Sequence, residues 1–303
     1  MSGWTIFFII LAVIIVAIII SSLISYFLSK WLAKWVKDVR RIDDRKDIER
    51  AYPGSRGWKL REIVRLTREI SRQFNMKMPE VGVYVSQEVN AFATGPAGNT
   101  LIAFSTGLVN IMNEKEIRGV VGHELSHLIH YDIGRILVVQ GIFDVFYWIF
   151  TLLLAWWLFQ PSEEEKKTGQ LNLFKMIFKI IFFQIITAMV RLMGILIVLW
   201  YNRKRELAAD KRGAEIVGVN DMMAALQKLL ELENRAWVVD GIDLTEDENV
   251  QQGEPNSISL LKFNPEKKKK GSLLDLLRTH PRLEQRIERL EKLKREKNLP
   301  GIV

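Results

Sequence analysis

Residues 4–28, WTIFFIILAVIIVAIIISSLISYFL, carry no charged side chain. The run exceeds the ~20 apolar residues that a helix needs to cross a bilayer. It lacks the basic start, short apolar region and small-residue cleavage site of a secretory signal, so it is expected to stay as an anchor. Two more apolar blocks, 136–159 and 171–201, flank the polar stretch QPSEEEKKTGQ, and each is long enough to span. A chain built this way must divide its folding between lipid and water.

Charge sets the orientation. Lys and Arg crowd the stretch KWLAKWVKDVRRIDDRK after the first block, Arg135 precedes the second, and Arg203, Lys204 and Arg205 follow the third. The positive-inside rule then puts 30–135 and everything from 202 onward in the cytoplasm, with the N-terminus and the 160–170 loop outside. Trp31 and Trp35 on the inner side, and Trp4, Trp156 and Trp157 on the outer, fit interfacial aromatic belts. The net charge of +8 is therefore read as membrane topology, and no nucleic-acid partner is expected. Gln140 and Asp144 make one polar stripe within the second block; Gln184, Thr187 and Arg191 make another in the third. Unpaired charges are costly in hydrocarbon, so Asp144 and Arg191 are expected to pair across the hairpin.

Between the spans, REIVRLTREISRQFN has a helical apolar period. A strand-like run, VGVYVSQEVNAFATG, follows, and then NTLIAFSTGLVNIM after a turn at Gly98 and Asn99. Beyond the third block, NDMMAALQKLLELENRA reads as helix; periodicity fades from about 239 to 271, where KKKKG suggests a solvated loop. HPRLEQRIERLEKLKREK closes the chain as a charged helix.

The chemistry concentrates in VVGHELSHLIHYD, which holds three of the chain's four histidines. His123 and His127 stand at i and i+4 of a segment that begins at a plausible cap, Asn113, and places Ile117, Val120 and Val121 toward a core. On one helix face, both imidazoles can reach a single Zn²⁺, and Glu124 between them can accept a proton from water and pass it to a leaving amine. Cysteine is absent, so a third ligand must be His, Asp or Glu. His130 would crowd the side that water needs and reads instead as structural or supporting. RELAAD offers Glu206 as the ligand and Asp210, four residues on, as acceptor for a ligand imidazole's other N–H. The competing reading of such a pair is a solvated helix face. Two membrane crossings separate His127 from Glu206, and an even number returns the chain to the same side.

NAFATG, HELSH, RELAAD and THPRLEQRI, in that order, resemble the HtpX-like membrane zinc metalloproteases, relatives of the CaaX prenyl endopeptidases, over roughly residues 60–290. The resemblance implies His123, His127 and Glu206 as ligands of one zinc ion, Glu124 as general base and Asp210 beside the ligands. It implies Asn90, Ala91, Phe92 and Ala93 as an edge strand that binds substrate backbone, and His280 and Arg286 as stabilisers of the oxyanion or substrate carbonyl. The expected fold is mainly α with a small β-sheet, a zincin domain fused to transmembrane helices. Its expected parts are an anchor at 1–30, a cytoplasmic first part at 31–135, a membrane hairpin at 136–201 and a cytoplasmic second part at 202–303. The expected function is endopeptidase cleavage of membrane or misfolded proteins on the cytoplasmic side of the cell membrane. A prenyl-protein protease and a non-catalytic scaffold with a vestigial site are the alternatives, and the oligomeric state stays open. Familiar members have two N-terminal spans where this chain shows one convincing block.

Overall fold

The computed structural model describes residues 3–42, 48, 55–162, 172–240 and 280–297. The unpatterned stretch from about 239 to 271 and most of the 160–170 loop lie outside these residues, so the readings made there are not addressed. Two compact units emerge, one from 1–26 with 134–202 and the other from 27–133 with 203–303.

The first unit holds the apolar parts of three helices: α1 (Gly3–Lys37), α5 (Asp132–Leu158) and α6 (Leu173–Val217). Each is long and apolar enough to cross a membrane. Their side chains are not hidden by protein; Phe8, Ile142 and Phe174 are 60%, 67% and 81% exposed. Such a surface is stable only where lipid replaces water. Among the described residues no ion pair joins Asp144 and Arg191, the pairing expected across the hairpin; the Arg191 charge acts on the Asp144 carboxyl without a direct bond.

The second unit is organised around a four-stranded sheet: β1 (Arg40–Arg41), β2 (Glu80–Tyr84), β3 (Ala91–Thr94) and β4 (Leu101–Ser105), in the order β1-β2-β4-β3. β2 and β4 run parallel, and the outer pairs are antiparallel. The single strand-like run expected from Val81 to Gly95 is broken, because the residues after Tyr84 fold onto the start of α3 (Thr106–Ile111). Gly107 N donates to Ser86 O at 2.8 Å, and Thr106 Oγ1 bonds both Ser86 N and Ser86 O. Only glycine fits at 107, where a Cβ would stand 2.3 Å from Gln87 O. The turn into β4 uses positive φ at Gly95 and Gly98.

One sheet face carries the main core. Val81, Val83, Ile102 and Phe104 meet α2 (Ser55–Gln73), which turns Leu60, Ile63, Val64, Thr67, Ile70 and Ser71 inward at helical spacing, and α4 (Glu114–Ile129). α4 starts as the sequence suggests: Asn113 caps it in a reciprocal box with Glu116, and Ile117 and Val121 are buried. α7 (Val219–Asp240) packs on α4, and α8 (Leu283–Lys297) packs on α7 through Leu283, Ile287 and Leu290.

Small residues let α4 and the end of α6 meet backbone to backbone. A Cβ at Gly213 would lie 3.1 Å from His123 N, and one at Gly122 would lie 2.8 Å from the Val217 methyls. Ser126 Oγ donates to Ala209 O at 3.3 Å across the same contact. This close crossing brings α6 within reach of the histidines on α4.

Candidate metal centre

The sequence spacing places His123 and His127 one turn apart on α4 and Glu206 and Asp210 one turn apart on α6. In the structure these four side chains converge. The His123 and His127 Nε2 atoms are 3.3 Å apart, and each lies 3.5 Å from a carboxylate oxygen of Glu206. A tetrahedral ion held at about 2.0–2.1 Å spaces its ligand atoms about 3.3–3.4 Å apart. Two imidazole nitrogens and one carboxylate, whose two oxygens each face one of the rings, fit the donor set of a catalytic zinc site. Glu206 is 4% exposed, too buried for a solvated helix face.

Behind each imidazole stands a carboxylate, and behind each carboxylate an arginine. His127 Nδ1 lies 2.8 Å from Asp132 Oδ2, and Arg212 Nη2 donates to the same oxygen at 2.8 Å. His123 Nδ1 lies 3.0 Å from Asp210 Oδ1, off the line of the ring N–H, and Arg286 bonds Asp210 twice. With Nδ1 protonated against a carboxylate, each ring turns the lone pair of Nε2 toward the centre.

Tyr131 makes the first of these arrangements possible. α4 ends at Ile129, His130 returns its Nδ1 to Ser126 O at 3.0 Å, and Tyr131 adopts φ of 54°. This left-handed step, costing a non-glycine residue roughly 1–2 kcal/mol, swings Asp132 back beneath His127. His130 is thus bonded to its own helix and does not join the metal site.

The electrostatics are those of a cation site. Burial pulls the His123 imidazole down, but the Asp210 and Glu206 carboxylates outweigh it and push the pKa up to about 10. Burial raises Glu206, yet His123 and His280 hold it well below the usual carboxylate range. Burial also raises Asp132 and Asp210, and their His and Arg partners bring both below normal.

Of the remaining expected residues, Glu124, His280, Asn90 and Ala91 line one cavity of about 170 Å³ together with His123 and Glu206, and Phe92 and Ala93 are not part of its lining. His280 is 62% exposed and holds Nδ1 3.2 Å from Glu206 Oε2. Arg286 also borders the cavity, but its Nε and Nη2 are turned to Asp210. A buried guanidinium of this kind is held by the carboxylate that neutralises it. Asn90 O and N are joined to Ser105 N and Oγ at 2.9 and 3.1 Å, and Ala91, Phe92 and Ala93 run along β3 at the sheet edge.

Sequence reasoning missed Asp132, Arg212 and Arg205. Arg205 Nη2 lies 3.6 Å from Glu206 Oε1, and its buried Nε has no hydrogen-bond partner among the described residues. The only sequence signals were Asp132 at the end of the histidine-rich segment and Arg205 beside the candidate ligand.

A HExxH helix crossed by a helix that brings in a glutamate, with apolar helices long enough to span a membrane, defines a membrane metalloendopeptidase. The chain belongs to peptidase family M48, whose model matches residues 58–294. It is 34% identical over 240 residues to a protein named "Protease HtpX homolog" from Methylacidiphilum infernorum, covering 77% of this chain and 72% of that one. It is 31% identical over 234 residues to "Protease HtpX" of Pasteurella multocida, again covering 77% and 72%. The fold is similar to the crystal structure of S. mikatae Ste24p, with a TM-score of 0.58 at 14% identity, across 93% of this chain and 58% of that one.

Proposed function

We propose that this chain is a zinc-dependent endopeptidase, anchored in the cell membrane with its catalytic unit in the cytoplasm, that cuts exposed segments of membrane or misfolded proteins. The observation that carries the reading is the convergence of the His123 and His127 Nε2 atoms, 3.3 Å apart and each 3.5 Å from one of the two Glu206 oxygens, with Glu124 on the same cavity. The cytoplasmic placement rests on Lys and Arg at the ends of the apolar blocks.

Zinc, when bound by these three side chains, supplies a Lewis acid that polarises a carbonyl and makes water more acidic. The chain's residues do the rest. Glu124 takes a proton from the attacking water and delivers it to the departing amine. His280, exposed on the cavity beside Glu206, donates toward the oxygen on which charge develops. Arg286 acts through Asp210, which orients His123. The backbone of β3 receives extended substrate by strand addition, a mode nearly indifferent to side chains and suited to unfolded clients.

The test compares purified wild type with Glu124→Ala for zinc content and casein cleavage, with and without chelator. The variant is expected to keep zinc and lose cleavage; undiminished cleavage removes Glu124 from the mechanism, and cleavage untouched by chelator removes the metal. Prenyl-protein processing uses the same chemistry, and the similarity in fold to Ste24p favours keeping it as a second reading. A farnesylated peptide cut in strong preference to casein would select it.

A further inference from the structure

Four polar side chains lie well inside the apolar spans, Gln140 and Asp144 on α5 and Gln184 and Arg191 on α6. At about 1.5 Å per residue, Asp144 is roughly 14 Å along its helix from Arg135, and Arg191 roughly 18 Å from Arg203, near the middle of a ~30 Å hydrocarbon layer. Neither is close to a helix end, where a long side chain can snorkel to the headgroups. All four are exposed, and among the described residues none makes a side-chain hydrogen bond or ion pair.

The contacts between the spans show where these side chains sit. Phe143 lies over Gly194, and the Phe159 and Phe183 rings meet at 5.8 Å, which marks the sides that α5 and α6 turn to each other. α1 meets α5 on the far side from Phe143, at Gly141, where a Cβ would stand 4.0 Å from Ser22 Oγ. At about 100° per residue, Gln140 and Asp144 fall between those two sides of α5, on one flank of the hairpin. Gln184 and Arg191 fall on the same flank of α6, and the Arg191 charge acts on the Asp144 carboxyl across it. The flank thus turns one acid, one base and two amides toward lipid, although charges at this depth almost always face protein or water.

We propose that this flank is the contact surface of a homodimer, with a second copy of the chain seated on it about a two-fold axis along the membrane normal. Charge complementarity selects the occupant. A half turn about that axis sets α5 of each copy against α6 of the other and keeps every residue at its own depth. Asp144 of each copy then faces Arg191 of the other, with a stagger of about 5 Å along the normal that an arginine side chain spans. A face that holds one charge of each sign on neighbouring helices is its own complement. A foreign helix would need a base against Asp144 and an acid against Arg191 at matching heights; a second copy supplies both by symmetry. The proposal needs only that the spans lie in a membrane, and it is independent of the peptidase reading.

The experiment co-expresses two differently tagged copies of the full chain, solubilises the membranes mildly and captures one tag. Wild-type copies should capture each other. Asp144→Lys puts two bases on the flank and Arg191→Glu two acids, so each variant paired with itself sets like charges together, and capture should fall at least about 10-fold. The two variants expressed together restore both pairs across the interface and should recover most of the wild-type signal. An ion pair confined to one chain predicts the opposite: the mixture stays as poor as its parts, and only the two substitutions made in the same chain recover. That result, or wild-type copies that do not capture each other, overturns the proposal.

The chain has no cysteine, so a disulfide reports contact directly and leaves the charges in place should the charge variants fail to accumulate. Gln140→Cys in one copy and Ile195→Cys in the other lie one turn from Asp144 and Arg191, toward the Arg135 and Arg203 ends, and should cross-link into a dimer in the membrane under mild oxidation. Ile142→Cys with Met193→Cys, on the opposite flank, should stay monomeric. Monomer from the first pair, equal cross-linking from both, or a cross-link to another membrane protein in place of the second copy overturns the homodimer.

Discussion

Arg286 grips Asp210 with two bonds, Nε to Oδ2 at 2.7 Å and Nη2 to Oδ1 at 2.6 Å, and Asp210 stands 3.0 Å from the His123 imidazole. Both groups are more than nine-tenths buried, so removing one leaves an uncompensated charge in the core. Arg286→Ala is expected to destabilise the protein by about 3–5 kcal/mol. Arg286→Lys keeps the charge without the fork and should fall between. Thermal unfolding measures the first effect, and zinc competition with a chelator measures loosening of the metal. Were Arg286 instead a donor to the reacting carbonyl, the lysine variant would lower kcat with zinc affinity unchanged.

Asp132 gives a sharper test because it bonds a candidate ligand directly. Asp132→Asn removes the charge that favours Nδ1–H on His127 and leaves Arg212 facing a neutral amide. Zinc affinity is expected to fall 10–100-fold, the usual effect of losing such a partner. Competition titration checks it, with circular dichroism confirming that the helices persist. An unchanged affinity would show that the His127 ring is held by packing alone.

The parts of this centre that could be read in advance are those set by helical period. The i, i+4 pairs at 123/127 and 206/210 needed only a helix to align them, and two spans in between brought the chain back. The capping box at Asn113 was local and equally visible. Asp132 was not, because its approach depends on a left-handed step at Tyr131, a backbone state with no signature in hydrophobic spacing. Arg212 and Arg286 meet partners 80 and 76 residues away, so spacing could place them on a helix face but not choose the carboxylate. The break between β2 and β3 was hidden for a similar reason, since contacts from Thr106 and Gly107, outside the run, impose it.

Acid should weaken the attachment of α1 to the sheet. Glu80 on β2 receives Lys30 Nζ at 2.9 Å and Lys34 Nζ at 2.5 Å. Burial raises the Glu80 carboxyl, but the two lysines outweigh it and hold the pKa below its usual value of 4.5. A depressed folded-state value means the stabilisation is complete above the unfolded pKa and is lost as pH falls through the folded one. Wild type should therefore exceed Glu80→Gln in melting temperature at pH 7, and the gap should close progressively below about pH 4.5. A gap independent of pH would assign the difference to packing.

The free edge of β3 can be tested at single-residue resolution. Asn90 turns both backbone groups toward Ser105, and the period of two then turns Phe92 and Thr94 toward β4 as well. Ala91 and Ala93 are left pointing outward, where an added strand would bond. Proline removes an N–H and is tolerated at an edge when that N–H faces away from the ladder. Ala93→Pro should keep the fold and raise KM for peptide substrates by roughly 2–10-fold, the worth of one hydrogen bond, with kcat little changed. Phe92→Pro removes a ladder bond instead and should lower the melting temperature. Steady-state kinetics beside thermal melts separate the two, and an Ala93→Pro enzyme with wild-type KM would mean that substrate does not lie along β3.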